Sequence, residues 1–126
     1  MDLSLSILAQ HFAICRLGKN AQIPAWVSES SGFLSITRTE EELSIVCEED
    51  AVPSDVKAEK GWRAFKVNGI LDFSMTGVLA SLLNPLSAAK ISIFAISTYD
   101  TDYLLVKSEK LSEAIRVLGE FCKVKD

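Results

Sequence analysis

The stretch FAISTYDTDYLLV, residues 94–106, sets a short polar segment between two apolar runs. Both runs have the composition of β-strands, so the stretch predicts a hairpin that turns near Asp100 and Thr101. Asp and Thr accept hydrogen bonds from nearby backbone and are common turn residues. Asp102 is different, because it stands at the start of an apolar strand, where aspartate is disfavoured. Either this acid meets a ligand or a partner, or it is structural.

The hairpin has an earlier counterpart in the chain. Setting Phe33 against Ile93, a shift of 60 positions (93 minus 33), aligns a second strand-turn-strand segment without a gap. In this alignment Glu42 stands opposite Asp102. One hairpin cannot bury both of its faces, so the two copies are expected to be parts of larger sheets.

Hydrophobic periodicity predicts the remaining elements. The predicted strands cover residues 6–16, 32–37, 43–48, 62–67, 91–98 and 103–107. A helix is predicted over residues 76–89, with a kink or break near Asn84 because Pro85 removes a backbone hydrogen bond. A second helix is predicted over residues 109–122, with Ser108 as its N-cap.

The order of these elements predicts an α+β fold made of two tandem units, residues 1–61 and 62–126. Each unit has helices on one face of an antiparallel sheet. The first unit is reduced, because only residues 23–27 and a turn at residues 53–56 stand where the second unit has helices.

Composition and charge exclude several functional classes. The net charge is -4 and the 13 Lys and Arg are scattered, which disfavours binding to nucleic acid or to an anionic membrane. No apolar run approaches the roughly 20 residues of a membrane-spanning helix. The first residues lack the positive region of a signal peptide, so a cytoplasmic location is expected.

The sequence predicts no metal site, no cofactor and no catalytic centre. Its three cysteines are far apart and His11 is the only histidine. The pair Asp100 and Asp102 lacks the further oxygen ligands that a calcium or magnesium loop needs. No nucleophile stands beside a base in a known motif. The protein is therefore not expected to be an enzyme.

Residues 73–80, Leu83 and residues 91–98 together resemble the ACT domain, a small regulatory module that binds ligands in amino-acid metabolism. The hairpin is similar to that of the aspartokinase and cytosolic arginine sensor branch of the family. In that branch Ser, Thr and an aromatic residue are followed by two variable residues, an Asp and an apolar strand. Residues 97–106 match this pattern position by position, and the resemblance extends over residues 62–122.

The resemblance implies two tandem ferredoxin-like units with a βαββαβ order, the first of them reduced. It also implies a non-catalytic sensor or regulatory module with an amino acid or related metabolite at an interface between two ACT units. The residues that match the family's ligand site form two groups. The loop before the first helix supplies Ser74, Met75, Thr76, Gly77 and Val78, and the hairpin supplies Thr98, Tyr99 and Asp102.

Simple chemistry agrees with this implied site. A glycine at a helix start lets a ligand approach the backbone, and the free N–H groups of the first turn favour a carboxylate. Asp102 supplies the charge that an ammonium group needs. The first unit has no glycine that matches Gly77, so a homodimer is expected to provide the second complete unit. A regulated protein partner is also expected.

An alternative function remains open at this point. The same fold, without a ligand, can act as a structural or interaction protein that dimerises or binds a partner through its edge strands.

Overall fold

The computed structural model describes residues 3–70 and 76–126, and the chain divides into two compact units. We call Met1–Ala9 with Arg63–Asp126 the composite unit, and Gln10–Trp62 the inserted unit. The boundary expected at residues 61 and 62 lies one residue from the second of these junctions. The first nine residues, which are expected in the first unit, group with the C-terminal half.

Eight strands and two α-helices occur in the described part of the chain. In chain order they are β1 (Ser4–Ile7), β2 (Phe12–Leu17), β3 (Ser35–Arg38), β4 (Leu43–Glu48), β5 (Ala58–Val67), α1 (Val78–Ala88), β6 (Phe94–Ser97), β7 (Asp102–Lys107), α2 (Leu111–Leu118) and β8 (Lys123–Lys125). This mixture confirms the predicted α+β class.

The sheet of the composite unit has the strand order β6-β7-β5-β1-β8. The N-terminal strand β1 runs antiparallel to β5, with Leu5 opposite Val67, and parallel to β8, with Leu5 opposite Val124. A strand from the start of the chain therefore lies inside a sheet whose other strands come from the C-terminal half.

Both helices of the composite unit pack on one face of its sheet, which we call the helix face. The cluster that joins them contains Leu82 and Leu86 of α1, Ala114, Val117 and Leu118 of α2, and the strand residues Leu5, Phe65, Val67, Leu104 and Val106. Strand residues of this set alternate with residues that point to the other face, as the two-residue period of a strand requires. The other face, which carries Lys66 and Tyr103, we call the open face.

Helix α1 continues through Pro85 to Ala88, so of the kink or break expected near Asn84 the break does not occur. Its end is fixed by two backbone hydrogen bonds, from Lys90 to Ser87 and from Ile91 to Leu86. This pattern is a Schellman motif, with Lys90 in the left-handed position at φ 62°. Ile91 is buried in the same cluster as Leu86, which adds the apolar contact that often accompanies this motif.

Helix α2 is shorter than predicted. A 3-10 turn, Ser108–Lys110, precedes it, and the N-cap residue is Lys110, so the expected cap at Ser108 is wrong. The helix ends at Leu118 rather than Cys122, and the chain then forms β8 beside β1. Three residues are too few for periodicity to reveal a strand, and only the pairing with β1 defines it.

The strands of the inserted unit have the order β3-β4-β2-β5. Only the part of β5 up to Trp62 belongs to this unit. Its core is a smaller cluster around Ala13, Cys15, Val27, Ile45 and Cys47. Its described helices are two 3-10 turns, Ala25–Glu29 and Glu49–Ala51, which agrees with a reduced unit. The single strand predicted over residues 6–16 is wrong: β1 and β2 are separate strands, one in each unit.

We predict that Leu5→Ala lowers the free energy of unfolding by about 2 to 5 kcal/mol, because Leu5 is fully buried on a central strand. Denaturant unfolding measures this change. Hydrogen exchange should show that amides of β8 lose more protection than those of residues 10–55. Leu34→Ala, at a side chain that is 37% exposed, is the control and should change stability by less than about 0.5 kcal/mol. An equal effect of the two substitutions would contradict a central place for β1.

Candidate functional site

The turn between β6 and β7 is held by the two threonines that flank it. The backbone N–H of Thr98 donates to the carbonyl of Thr101 at 2.8 Å. The Thr98 hydroxyl donates to the same carbonyl at 3.1 Å and accepts from the Thr101 N–H at 3.2 Å. The hydroxyl of Thr98, a predicted site residue, is therefore engaged within the turn.

Thr101 also ties the turn to the end of β5. Its buried hydroxyl donates to the carbonyl of Val67 at 2.7 Å. Between the two threonines, Tyr99 points outward with 81% of its surface exposed. The turn expected at Asp100 and Thr101 is present, and Thr101 anchors it.

Asp102 is the first residue of β7 and is only 9% exposed. It lies opposite Ser97 in the hairpin, and the Ser97 hydroxyl donates a hydrogen bond to its carboxylate. Because residues alternate along a strand, Asp102 shares the helix face with Leu104 and Val106. The acid thus lies at the edge of an apolar core, on the side of the sheet where the two helices pack.

The first hairpin has the same design, in a different register from the one predicted. Strands β4 and β7 have the same length and the same pattern of burial, at a shift of 59 positions (102 minus 43). The turn hydrogen bonds agree: Thr39 bonds to Glu42 as Thr98 bonds to Thr101. The predicted shift of 60 is therefore wrong by one residue.

This correction changes the counterpart of Asp102. The equivalent residue is Leu43, which is fully buried in the core of the inserted unit, and not Glu42. A slip of one residue moves every side chain to the other face of a strand, so the distinction decides which residues are comparable. In the second hairpin an aspartate occupies a position where the first hairpin has a core leucine.

Gly77 precedes α1 as its N-cap residue and has the left-handed backbone angle φ 80°. Among the described residues other than its two chain neighbours, no heavy atom lies within 4 Å of the place where a Cβ of Gly77 would be. Of its neighbours, Thr76 is exposed and Val78 is buried at 5% exposure. Ser74 and Met75, two further predicted site residues, lie outside the described residues.

A groove of about 600 Å³ runs beside the edge strand β6 in the composite unit. Leu83, Asn84 and Ser87 of α1 form one side of it, and Ile93 and Ala95 form the other. Within the described residues β6 pairs only with β7, so its outer edge has backbone groups that another strand can meet.

The cysteines belong mainly to cores. Cys15 and Cys47 are both buried in the inserted unit, where hydrogen bonding between the two thiols lowers the pKa of Cys15 and raises that of Cys47. Burial raises the pKa of the Cys122 thiol, which donates to the carbonyl of Leu118. The buried pair packs the core and does not form an exposed nucleophile.

Two further findings concern the described residues as a group. Residues 3–70 and 76–126 contain no group of three or more His, Cys, Asp or Glu side chains placed to hold a metal ion. In the same part of the chain, no helix is long and apolar enough to cross a membrane.

Two family models match this chain, and they follow the two units. A model of the ACT domain matches residues 57–120, about half of the chain. A model of an N-terminal domain matches residues 10–55, inside the inserted unit.

Curated relatives are longer than this chain. The bovine protein named cytosolic arginine sensor for mTORC1 subunit 1 is 32% identical over 99 residues, which are 72% of this chain and 30% of that relative. Its human counterpart is 28% identical over 99 residues, with coverages of 70% and 30%. The chain thus spans about a third of the length of these relatives.

Solved structures share the fold over nearly the whole chain. A protein from Agrobacterium tumefaciens is 42% identical, has a TM-score of 0.92, and is matched over 98% of this chain and 92% of its own. The regulatory subunit of aspartate kinase from Thermus thermophilus has a TM-score of 0.61 at 12% identity, over 92% of this chain and 95% of its own. At that identity the second match shows the fold alone.

We predict that Asp102→Leu raises the free energy of unfolding by about 1 kcal/mol. The substitution replaces a buried acid by leucine, the residue at the equivalent position 43 of the first hairpin, and the exposed hydroxyl of Ser97 can then bond to water. The reverse substitution, Leu43→Asp, should lower it by about 3 kcal/mol or more, because it buries an unpaired charge. Denaturant unfolding compares the two variants. A clear loss of stability in Asp102→Leu would mean that the acid is retained for folding.

Proposed function

Because the chain belongs to the ACT domain family, we propose that it is a non-catalytic sensor or regulatory module that binds an amino acid. The family model confirms the resemblance that the sequence carries in residues 62–122. The ligand is held at an interface between two ACT units, on the helix face near Asp102 and the loop before α1. Two relatives named as arginine sensors support an amino acid as the ligand class.

The observation that carries this proposal is the buried acid at the start of β7. Asp102 occupies a position where the repeated hairpin has Leu43, so the hairpin design itself does not require a charge there. A nearly buried carboxylate costs stability unless it is compensated, and within the described residues its only hydrogen-bond partner is the hydroxyl of Ser97. An ammonium group of a ligand supplies the missing charge.

The start of α1 provides the second half of the proposed site. Gly77, which has no side chain, lets a ligand reach the backbone, and the first-turn N–H groups favour its carboxylate. Thr76, Val78, Ser74 and Met75 belong to the same proposed loop. Thr98 contributes by holding the turn, and Tyr99 contributes an exposed ring.

We further propose that two copies of the chain pair through the groove beside β6. The edge of β6 offers backbone hydrogen bonds and the neighbouring side of α1 offers apolar contact. A two-fold interface between identical subunits can use both. The pairing brings two composite units together and completes the interface at which the ligand binds.

Binding is coupled to a regulated protein partner, because a non-catalytic module needs a second protein to carry its signal. The relatives with the word cytosolic in their names support a cytoplasmic location. The alternative is a ligand-free interaction protein, which the exposed side chains of Tyr99 and Ile70 at one end of the sheet favour.

We predict that at least one of the twenty L-amino acids raises the melting temperature of the full chain. Ligand at about 100 times Kd adds about 2.7 kcal/mol to the stability of the folded state. Asp102→Asn should abolish the part of this shift that arises at the helix-face site and should not lower the melting temperature of the ligand-free protein, because the amide keeps the shape of the acid and removes a buried charge. Thermal melts of both proteins against the panel measure it.

The matched control is Glu42→Gln, which removes an acid from the corresponding turn of the first hairpin and should leave the ligand shift intact. If no amino acid stabilises the wild-type chain and a protein partner is captured by both wild type and Asp102→Asn, the ligand-free alternative is correct.

We also predict that Ser87→Arg converts a dimer to a monomer, because Ser87 lines the groove beside β6 and arginine fills it with a charge. Ala88→Arg places the same side chain on the adjacent exposed residue of α1, which does not line the groove, and should leave the dimer intact. Sedimentation of both variants tests this. A monomeric wild type, or equal dissociation of the two variants, would contradict the proposed interface.

A further inference from the structure

A second recess, of about 310 Å³, lies in the composite unit beside the end of β5 and the turn between β6 and β7. It opens on the other side of the sheet from Asp102, because its wall includes Tyr103, the next residue of β7, whose side chain points to the open face. The rest of the wall comes from β5, from the segment that follows β5, and from the hairpin turn. The residues that carry the argument are Lys66, Ile70, Thr98, Asp100 and Tyr103.

The recess has one charge of each sign. Lys66 of β5 is half-buried and points to the open face, because its neighbours Phe65 and Val67 lie in the core of the helix face. Asp100 stands in the hairpin turn and is exposed. Neither residue makes an ion pair within residues 3–70 and 76–126. A ligand that carries both charges can therefore pair with Lys66 and Asp100 at the same time, whereas a simple anion or cation can pair with only one of them.

Thr101 fixes the two charged walls with respect to each other. Its hydroxyl holds the hairpin turn to the carbonyl of Val67, the residue next to Lys66. Thr98 closes the same turn around Asp100. The position of the Asp100 carboxylate relative to the Lys66 ammonium group thus depends on hydrogen bonds to the backbone. Such bonds are the kind of support that a binding site needs.

Size and apolar surface narrow the ligand class. A volume of about 310 Å³ lies at the low end of the range for small-molecule sites, about 300 to 1,000 Å³, and suits one amino acid better than a nucleotide. Ile70, which is 79% exposed, and the ring of Tyr103 offer apolar surface for the side chain of a ligand.

We propose that this recess is a second amino-acid site, in which Lys66 binds the carboxylate and Asp100 binds the ammonium group of a free α-amino acid. The inference rests on the proposed function for the class of ligand. It differs in the residues used, because the anchoring acid is Asp100 on the open face rather than Asp102 on the helix face.

The test measures binding of the twenty L-amino acids to the full chain by calorimetry. Lys66→Met keeps most of the side-chain length and removes the charge, and Asp100→Asn keeps the shape of the acid. Each should weaken binding in this recess by about ten- to a hundredfold, the effect of losing one charge-assisted hydrogen bond. Thermal melts of the ligand-free variants check that both remain folded.

Two matched controls make the same chemical changes elsewhere. Lys125→Met removes a lysine from β8 in the same row of the sheet, since Ser6 pairs with both Lys66 and Lys125. Glu41→Gln removes the acid that corresponds to Asp100 at a shift of 59 positions (100 minus 41). Neither control should change binding.

A ligand modification identifies which group each residue binds. The carboxamide of a bound amino acid lacks the negative charge and should bind wild type about tenfold more weakly. Measured in chains that also carry Asp102→Asn, which removes the helix-face site, this difference should vanish with Lys66→Met and persist with Asp100→Asn, because there only Lys66 meets the carboxylate. A difference that persists in Lys66→Met overturns the assignment.

The outcomes separate this inference from the proposed function. Binding that is lost in Asp102→Asn but unchanged in Lys66→Met and Asp100→Asn overturns the second site and leaves the proposed function standing. Two binding events, one lost in Asp102→Asn and the other lost in Lys66→Met and Asp100→Asn, support both sites. A single event that is lost in Lys66→Met and Asp100→Asn but not in Asp102→Asn supports the recess and contradicts the helix-face site. If no amino acid binds to wild type, both proposals are wrong.

Discussion

The pairing of β1 between β5 and β8 is the constraint on which the composite unit depends. Leu5 is fully buried in the cluster that also holds α1 and α2, so the helix face has a complete core only when the N-terminal strand is in place. Asn68 strengthens this arrangement, because its side chain and backbone both bond to Ser4 and its amide oxygen accepts from the hydroxyl of Ser6. The inserted unit is therefore an insertion in the sequence of the composite unit, between its first two strands.

The hairpin of β6 and β7 presents different chemistry on its two faces. Alternation along β7 puts Asp102 on the helix face and Tyr103 on the open face, while the turn between the strands carries Asp100. Thr98 and Thr101 fix the turn through backbone hydrogen bonds, and Thr101 joins it to the end of β5. Both proposed sites depend on this turn, although each uses a different acid. A hairpin that is rigid at its tip can position both groups without support from a large core.

Much of the fold could be predicted from the sequence where a local pattern was strong. The bounds of β4 were predicted without error, and those of β7 and α1 to within a few residues, because their apolar periodicity is regular. Residues 6–16 were misread as one strand because two strands in succession have the same period as one long strand. The site is only partly predictable: Asp102 stands out in the sequence as an acid in an apolar strand, but its counterpart Leu43 follows only from the strand register, which differs by one residue from the sequence alignment. Nothing in the sequence marks Lys66 as a binding residue, since an isolated lysine in a strand is ordinary.

By itself the sequence determined the α+β class, the repeated hairpin, the family and the odd position of Asp102, because each of these follows from the order and period of residue types along the chain. The tertiary structure decided three other matters: that β1 belongs to the C-terminal sheet, that Asp102 lies on the helix face with Ser97 as its partner, and that Lys66 and Asp100 line one recess. The physical reason is that strand pairing over long sequence separations depends on the burial of a shared core. Local sequence patterns record the tendency of a segment to form a strand, and they do not record which strand it pairs with.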